Sequence, residues 1–307
     1  MRIIFLLVFI TNFLLSRDLF IPLPTDIEYD KNIVKLGKEL FNDPMLSKNG
    51  DISCMSCHFQ YGADPKRFSI GTDGKLGNMN SPSLFNAKFN IGLFWNGRTL
   101  TLEEQMLDGP IFAEHEMASS KELIEERLRK SKKYRKMFKK AFGIEPTFEK
   151  AVKSIAEFEK TLITPNSKFD KFLRKEVKLN EQENRGFKLF QSYGCVSCHN
   201  GINIGGNSYQ ELGAVIEYHS GEQGWIDRYT HTKNSYDKNV FRVASLRNIE
   251  KTAPYFHHGS IKTLKKAIQT MGYNNIGVVL STEEIEDLES FLKTLTGELP
   301  ITLQEEL

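Results

Sequence analysis

Apolar positions recur at helical spacing in several separated blocks of the chain, and most blocks are bounded by recognisable start or stop residues. Ile33, Leu36, Gly37, Leu40 and Phe41 form one face of a helix that ends near Asn42-Asp43-Pro44, because the residue before a proline is pushed out of helical backbone. Gly186, Phe187, Leu189 and Phe190 form a second such face. Leu123, Ile124, Leu128, Met137 and Phe138 supply the buried side of a charged helical stretch from Lys121 to Phe142, whose lysines read as a solvated face. A helix over 263–271 follows the compact segment Phe241 to Gly259. The last helix opens at Ser281-Thr-Glu-Glu284, a capping box, and continues through Ile285, Leu288, Phe291, Leu292 and Leu295. Gly62 to Pro82 and Gly201 to Asn239 are rich in turn residues and predict long loops, with no particular strand supported in the second.

Two of these blocks are copies. Gly37-Lys-Glu-Leu-Phe41 matches Gly186-Phe-Lys-Leu-Phe190, and Glu157-Phe-Glu-Lys-Thr-Leu162 matches Ser290-Phe-Leu-Lys-Thr-Leu295. The pattern predicts a duplicated unit that opens and closes with a helix. Pro165-Asn166-Ser167 marks the boundary, so the expected fold is mainly α, with two units in tandem over 17–165 and 166–307. Before them, Met1-Arg2, the apolar run Ile3 to Leu15 and polar Ser16-Arg17-Asp18 have the regions of a secretory signal over 1–16. The run is short for a membrane span of about 20 residues, and the mature chain is expected in the periplasm.

Composition adds one exclusion. A formal net charge of +2 in 307 residues carries no polyanion-binding signature, so nucleic acid is not an expected partner.

The cysteines carry the chemistry. All four lie in Cys54-Met-Ser-Cys57-His58 and Cys195-Val-Ser-Cys198-His199. Cys-x-x-Cys-His is the attachment signal of c-type haem, two thiols bonding the porphyrin and the histidine ligating iron. The motifs are too far apart for a compact zinc ribbon, so the expectation is two covalently bound haem c groups. Met271 is the only methionine after Cys195 and sits at the end of a predicted helix, which makes it the candidate second ligand to the His199 iron; His219, His231, His257 and His258 compete. No histidine occurs between His58 and His115, so the loop over the first motif offers only the thioether of Met79, and an accessible first iron is expected. Splitting peroxide at such an iron needs a group that moves a proton. Glu116 is one candidate, with Glu114, His115 and Gln105 nearby.

A wider set of motifs points to a family. Leu36-Gly-Lys-Glu-Leu-Phe41, Asp43-Pro44, Asn80-Ser-Pro82, Phe94-Trp-Asn-Gly-Arg98, Glu104-Gln105, Gly109-Pro110, Glu116-Met117, Phe241-Arg-Val-Ala-Ser-Leu-Arg-Asn248, Thr252-Ala-Pro-Tyr-Phe-His257 and Met271-Gly272 resemble the bacterial dihaem cytochrome c peroxidases and the related MauG-type proteins over nearly the whole mature chain. The resemblance implies two cytochrome c-like haem domains. It makes the His58 haem the peroxidatic, low-potential one and the haem of His199 and Met271 the high-potential electron-transfer one. It further implies Glu116 as catalytic acid, Gln105 as active-site glutamine, Trp95 as relay between the haems, His257 near the propionates, and Asn80, Thr252 and Pro254 around a calcium ion. Hydrogen peroxide is the implied substrate, a small periplasmic cytochrome c or cupredoxin the implied donor, and a homodimer is allowed. A MauG-like oxidase acting on a protein or organic substrate, and a non-catalytic dihaem carrier, are the alternatives. One position departs from the peroxidases that need reductive activation: Thr72 stands where they carry a loop histidine that caps the first iron.

Overall fold

The computed structural model describes residues 19–219 and 224–304, so the leader expected over 1–16 lies outside the described residues. Helix α1 (Lys31–Asn42) starts at Asp30, whose side chain accepts from the backbone N–H groups of Asn32 and Ile33, and stops at Asp43 ahead of Pro44. Its buried face is Val34, Leu36, Gly37, Leu40 and Phe41. The first haem motif forms the short helix α2 (Cys54–Cys57), and α3 (Leu102–Asp108) follows a long loop. The charged stretch expected as one helical segment is two helices, α4 (Lys121–Lys130) and α5 (Lys132–Phe142). Ser131 between them has extended backbone and caps α5 by accepting from Tyr134 N–H, which is why the helix breaks there. Helix α6 (Phe148–Lys160) closes the unit.

Helices α1 and α6 meet through a glycine. A Cβ built on Gly37 would lie 1.9 Å from the Ser154 carbonyl oxygen and 2.8 Å from Phe158 Cβ. Only glycine lets two backbones approach that closely. Phe41 packs edge-on against Phe158, with ring centroids 5.6 Å apart.

The second unit repeats this crossing. Helix α7 (Lys168–Leu173) leads into α8 (Glu181–Ser192); α9 (Arg228–Thr232) lies in the long loop, and α10 (Leu264–Met271) precedes the closing helix α11 (Thr282–Lys293). A Cβ on Gly186 would lie 1.9 Å from the Asp287 carbonyl oxygen and 2.9 Å from Phe291 Cβ. Phe190 packs on Phe291 at 5.2 Å. The expected capping box is formed, Ser281 N–H donating to the Glu284 carboxylate at 2.8 Å and Glu284 N–H to Ser281 Oγ at 3.2 Å. The loop over 201–239, for which the sequence supports no particular strand, holds the short strand β1 (Tyr209–Glu211), which pairs antiparallel with β2 (Val240–Arg242) just beyond it, in the register Gln210 to Phe241. Three residues per strand are too few for an alternating pattern to be legible in the sequence.

Both ends of the described residues cross the expected division after residue 165. Phe20 lies in the second core against Phe169, Phe187 and Phe190, while Leu303, in the terminal helix α12 (Ile301–Gln304), packs on the first. The N-terminal segment is tied down by a buried ion pair. Arg247 makes two bonds of 3.0 Å to the Asp170 carboxylate and one of 3.1 Å to the Ile21 carbonyl, and Asp170 also accepts from Leu23 N–H at 3.2 Å. Both side chains are essentially inaccessible, 1% and 0% exposed. Such a pair adds little over an apolar substitute, but removing one partner strands the other charge. Asp170→Ala is therefore expected to lower the unfolding free energy of the haem-loaded protein by about 3–5 kcal/mol in a denaturant titration, with Phe20 released from its core; an unchanged midpoint contradicts this account.

Candidate active site

The first motif faces a small cavity of about 40 Å³. It is lined by Cys54, Cys57 and His58 together with Gln105, Glu116 and Glu159. Helix α2 is capped by its own serines, Ser53 N–H donating to Ser56 Oγ at 3.0 Å, which sets the two thiols and the following imidazole on one side. His58 Nδ1 is buried without a hydrogen-bond partner, and burial holds the imidazole below its ordinary pKa. Burial also pushes the Glu116 carboxyl up to about 7, against the opposing pull of the Arg98 guanidinium. Arg98 itself lies over the Phe94 ring, 3.4 Å from its centroid, and pairs with Asp108. Met79, the thioether weighed as a ligand, is not among the residues lining this cavity.

Thr72 is fully buried, and its bonds go to the Glu116 loop. Its N–H donates to the Glu116 carbonyl at 2.8 Å and its hydroxyl to the Met117 carbonyl at 3.3 Å. The preceding Gly71 is pressed against the same loop, where a Cβ would lie 2.2 Å from the His115 carbonyl oxygen. Lys75 clasps Glu114 at 2.7 Å from the outside.

The second motif faces a larger cavity of about 330 Å³. Cys195, Cys198 and His199 line it, and Met271, the last residue of α10, lines it too. His199 Nδ1 is likewise buried and unpartnered, and burial pushes the ring down to about 4. Of the competing histidines, His219 is exposed and His257 also lines the cavity. His257 stacks on Phe241 with centroids 4.0 Å apart, and burial with the neighbouring His258 pushes it down to about 3.

Trp95 lies between the units. It lines the second cavity, donates its indole N–H to the Asn80 carbonyl at 2.8 Å, and its own carbonyl accepts from Arg242 N–H at 2.7 Å. Its ring centroid is 6.3 Å from that of His257. Asn80 N–H in turn donates to the His257 carbonyl at 2.8 Å. The Asn80 amide nitrogen is committed to the Lys66 and Arg67 carbonyls, which turns the amide oxygen the other way. Thr252 donates its hydroxyl to the Ile249 carbonyl, and Pro254 is buried. Among the described residues no cluster of three or more His, Cys, Asp or Glu suits a metal ion.

Known proteins can now be set beside this geometry. A family model for di-haem cytochrome c peroxidase matches residues 31–178, and one for cytochrome c matches 183–296. The cytochrome c551 peroxidase of Nitrosomonas europaea is 43% identical over 283 residues, covering 91% of this chain and 84% of the relative. The chain belongs to the di-haem cytochrome c peroxidase family. The cytochrome c551 peroxidase of Pseudomonas aeruginosa is 41% identical over 277 residues, 87% of this chain and 79% of the relative. A solved MauG-like protein associated with microbial copper homeostasis is 30% identical, with a TM-score of 0.77 over 90% of this chain and 93% of that one.

Membership in a di-haem family implies two covalently bound haem c groups, and the residues present fit them. Each of two cavities has a pair of free thiols and one imidazole whose Nδ1 is buried without a partner. At the smaller first cavity the fit is one of donor chemistry. Sequence reasoning missed Glu159, although the repeat held the signal, a glutamate where the second copy has Leu292. It also missed the Thr72 latch, which shows only once two loops distant in sequence meet.

The latch yields a prediction. Gly71→Ala is expected to push the 115–116 segment away and to speed amide exchange at Thr72 by tenfold or more, read by hydrogen exchange of the haem-loaded protein. Unchanged protection there rejects the close contact.

Proposed function

We propose that this family member reduces hydrogen peroxide to water in the periplasm, with electrons from a small cytochrome c or cupredoxin. The observation that supports this best is the gathering of Gln105 and Glu116 in the same cavity as Cys54, Cys57 and His58. The two haems, when bound, supply the redox chemistry: one accepts electrons from the donor, and peroxide is reduced at the other. The first site is taken as the peroxidatic one because the resemblance implies it and because Glu116 and Gln105 line its cavity; no second imidazole lines that cavity, although the thioethers of Met106 and Met117 do.

The protein's part is to hold peroxide and move protons. The balance is one peroxide, two electrons and two protons to two waters. Glu116 takes the proton from the near oxygen of peroxide and returns it to the departing oxygen, so that water leaves instead of hydroxide. A carboxyl poised at about 7 can do both at neutral pH. Gln105 orients the oxygens by hydrogen bonding. Trp95 shortens the path between the sites by filling the space between them with an indole. Thr72, bonded to the Glu116 backbone, stands where a capping loop histidine would be, so no imidazole from this loop would have to be displaced from the first haem. Asn80, Thr252 and Pro254 offer neutral oxygens of the kind calcium takes, and His257 stands ready for a haem propionate.

Met271 favours this reading over a MauG-like oxidase, because the MauG-type proteins that the motifs resemble carry a tyrosine where this chain has Met271. The test is stopped-flow oxidation of reduced cytochrome c by the diferric-loaded protein and peroxide; turnover at background with both haems intact overturns the proposal. Two outcomes are expected for Glu116. In the wild type, kcat/KM rises as pH climbs through about 7, because the carboxyl must be ionised to accept the first proton. In Glu116→Gln that limb disappears and kcat falls by about 100-fold or more, whereas a simple electron carrier keeps its full rate of donor oxidation.

A further inference from the structure

The two crossings align the closing helices residue by residue. Gly37 abuts Ser154 and Phe158, and Gly186 abuts Asp287 and Phe291 in the same way. Thr161 and Thr294, three residues past each phenylalanine, both donate their hydroxyls to that phenylalanine's carbonyl, at 2.7 and 2.6 Å. The residue after Phe158 is Glu159, and the residue after Phe291 is Leu292. They are buried alike, 5% and 6% exposed, and each lines the cavity of its own unit. One position beside each haem site thus carries a carboxyl in the first unit and an isobutyl group in the second.

A buried carboxyl is costly where a leucine is not. Glu159 Oε2 is buried with no hydrogen-bond partner, so nothing in the fold itself accounts for it. The neighbouring cation, Lys160, is already paired with Glu103 and Glu157 at 3.0 and 3.1 Å. Burial, then the charge of Glu103, pushes Glu159 up to about 8, the behaviour of a carboxyl whose ionised form lacks a positive partner. The carboxyl shares one cavity with Cys54, the sulfur of the first attachment motif, and with His58.

We propose that Glu159, in its ionised form, lowers the reduction potential of the first haem relative to the second, supplying within the cavity it shares with Cys54 and His58 the negative charge that Leu292 denies the other site. A carboxylate favours the more positive, oxidised form of a neighbouring iron centre, and protein charge and burial are recognised levers on haem potential. This rests on the dihaem reading above, but its readout is separate from turnover.

The experiment is spectroelectrochemical titration at pH 9, where a carboxyl raised to about 8 is ionised, of the haem-loaded protein, with two haems per chain verified by mass, in wild type, Glu159→Leu and the near-isosteric Glu159→Gln. In both variants the first haem is expected to shift toward the reduced form by at least tenfold at a fixed applied potential, or 59 mV upward for a one-electron couple; the second haem moves less than threefold. An unchanged first haem in the fully loaded Gln variant overturns the proposal, as does an equal shift of both haems. If wild type shows no peroxide turnover while these shifts are seen, the peroxidase reading falls and this inference stands.

Discussion

Each half of the molecule depends on two helix backbones touching at a glycine. At Gly37 and at Gly186 the opposing carbonyl oxygen sits where a side chain would begin. The contact sets the depth at which the closing helix crosses the opening one, and with it which residues of the closing helix point into the haem cavity. Aromatic packing then locks the crossing, Phe41 on Phe158 in one unit and Phe190 on Phe291 in the other. Once that frame is fixed, the two sites can diverge by single substitutions without moving the helices. The change from a leucine to a glutamate one residue past the locking phenylalanine is such a divergence.

How much of this was legible beforehand follows from the range of each interaction. Helix starts, the capping box at Ser281 and the duplicated Gly-to-Phe segment are local, so the chain states them within a few residues. The haem attachments are local as well, since two thiols and an imidazole must reach one porphyrin. Pairings between distant segments were not legible. The break at Ser131 depends on a serine capping against a strongly helical background of lysines. The crossing of the chain ends depends on Arg247 finding Asp170 and the Ile21 carbonyl, three places far apart in sequence. Glu159 was visible as a letter, yet its meaning needed the cavity that places it beside Cys54.

Buried charge is handled in two opposite ways. Asp170 is answered by the Arg247 guanidinium, the Ser167 hydroxyl and the Leu23 N–H, and so it serves as a structural knot between the N-terminal segment, α7 and the loop after β2. Glu159 has no such answer from the protein. By the rule that buried polar groups find partners, the first case is a completed network, and the second leaves one carboxyl oxygen without a protein partner. Glu116 falls between them, half-buried in the cavity with Arg98 near enough to oppose the effect of burial.

The position of Thr72 bears on how the first site becomes ready. For residue 72 to reach the cavity, its N–H would have to leave the Glu116 carbonyl and its hydroxyl the Met117 carbonyl, both buried. An unsatisfied buried carbonyl costs roughly 1–3 kcal/mol; the Glu116 carbonyl would be left so, whereas the Met117 carbonyl keeps the Lys48 N–H at 2.9 Å. Gly71 adds a steric argument, because the loop lies flush against His115 only while that residue lacks a side chain. The same contacts that keep the loop out of the cavity hold the backbone of Glu116 in place. The placement of the loop and the preorganisation of Glu116 thus come from one set of hydrogen bonds.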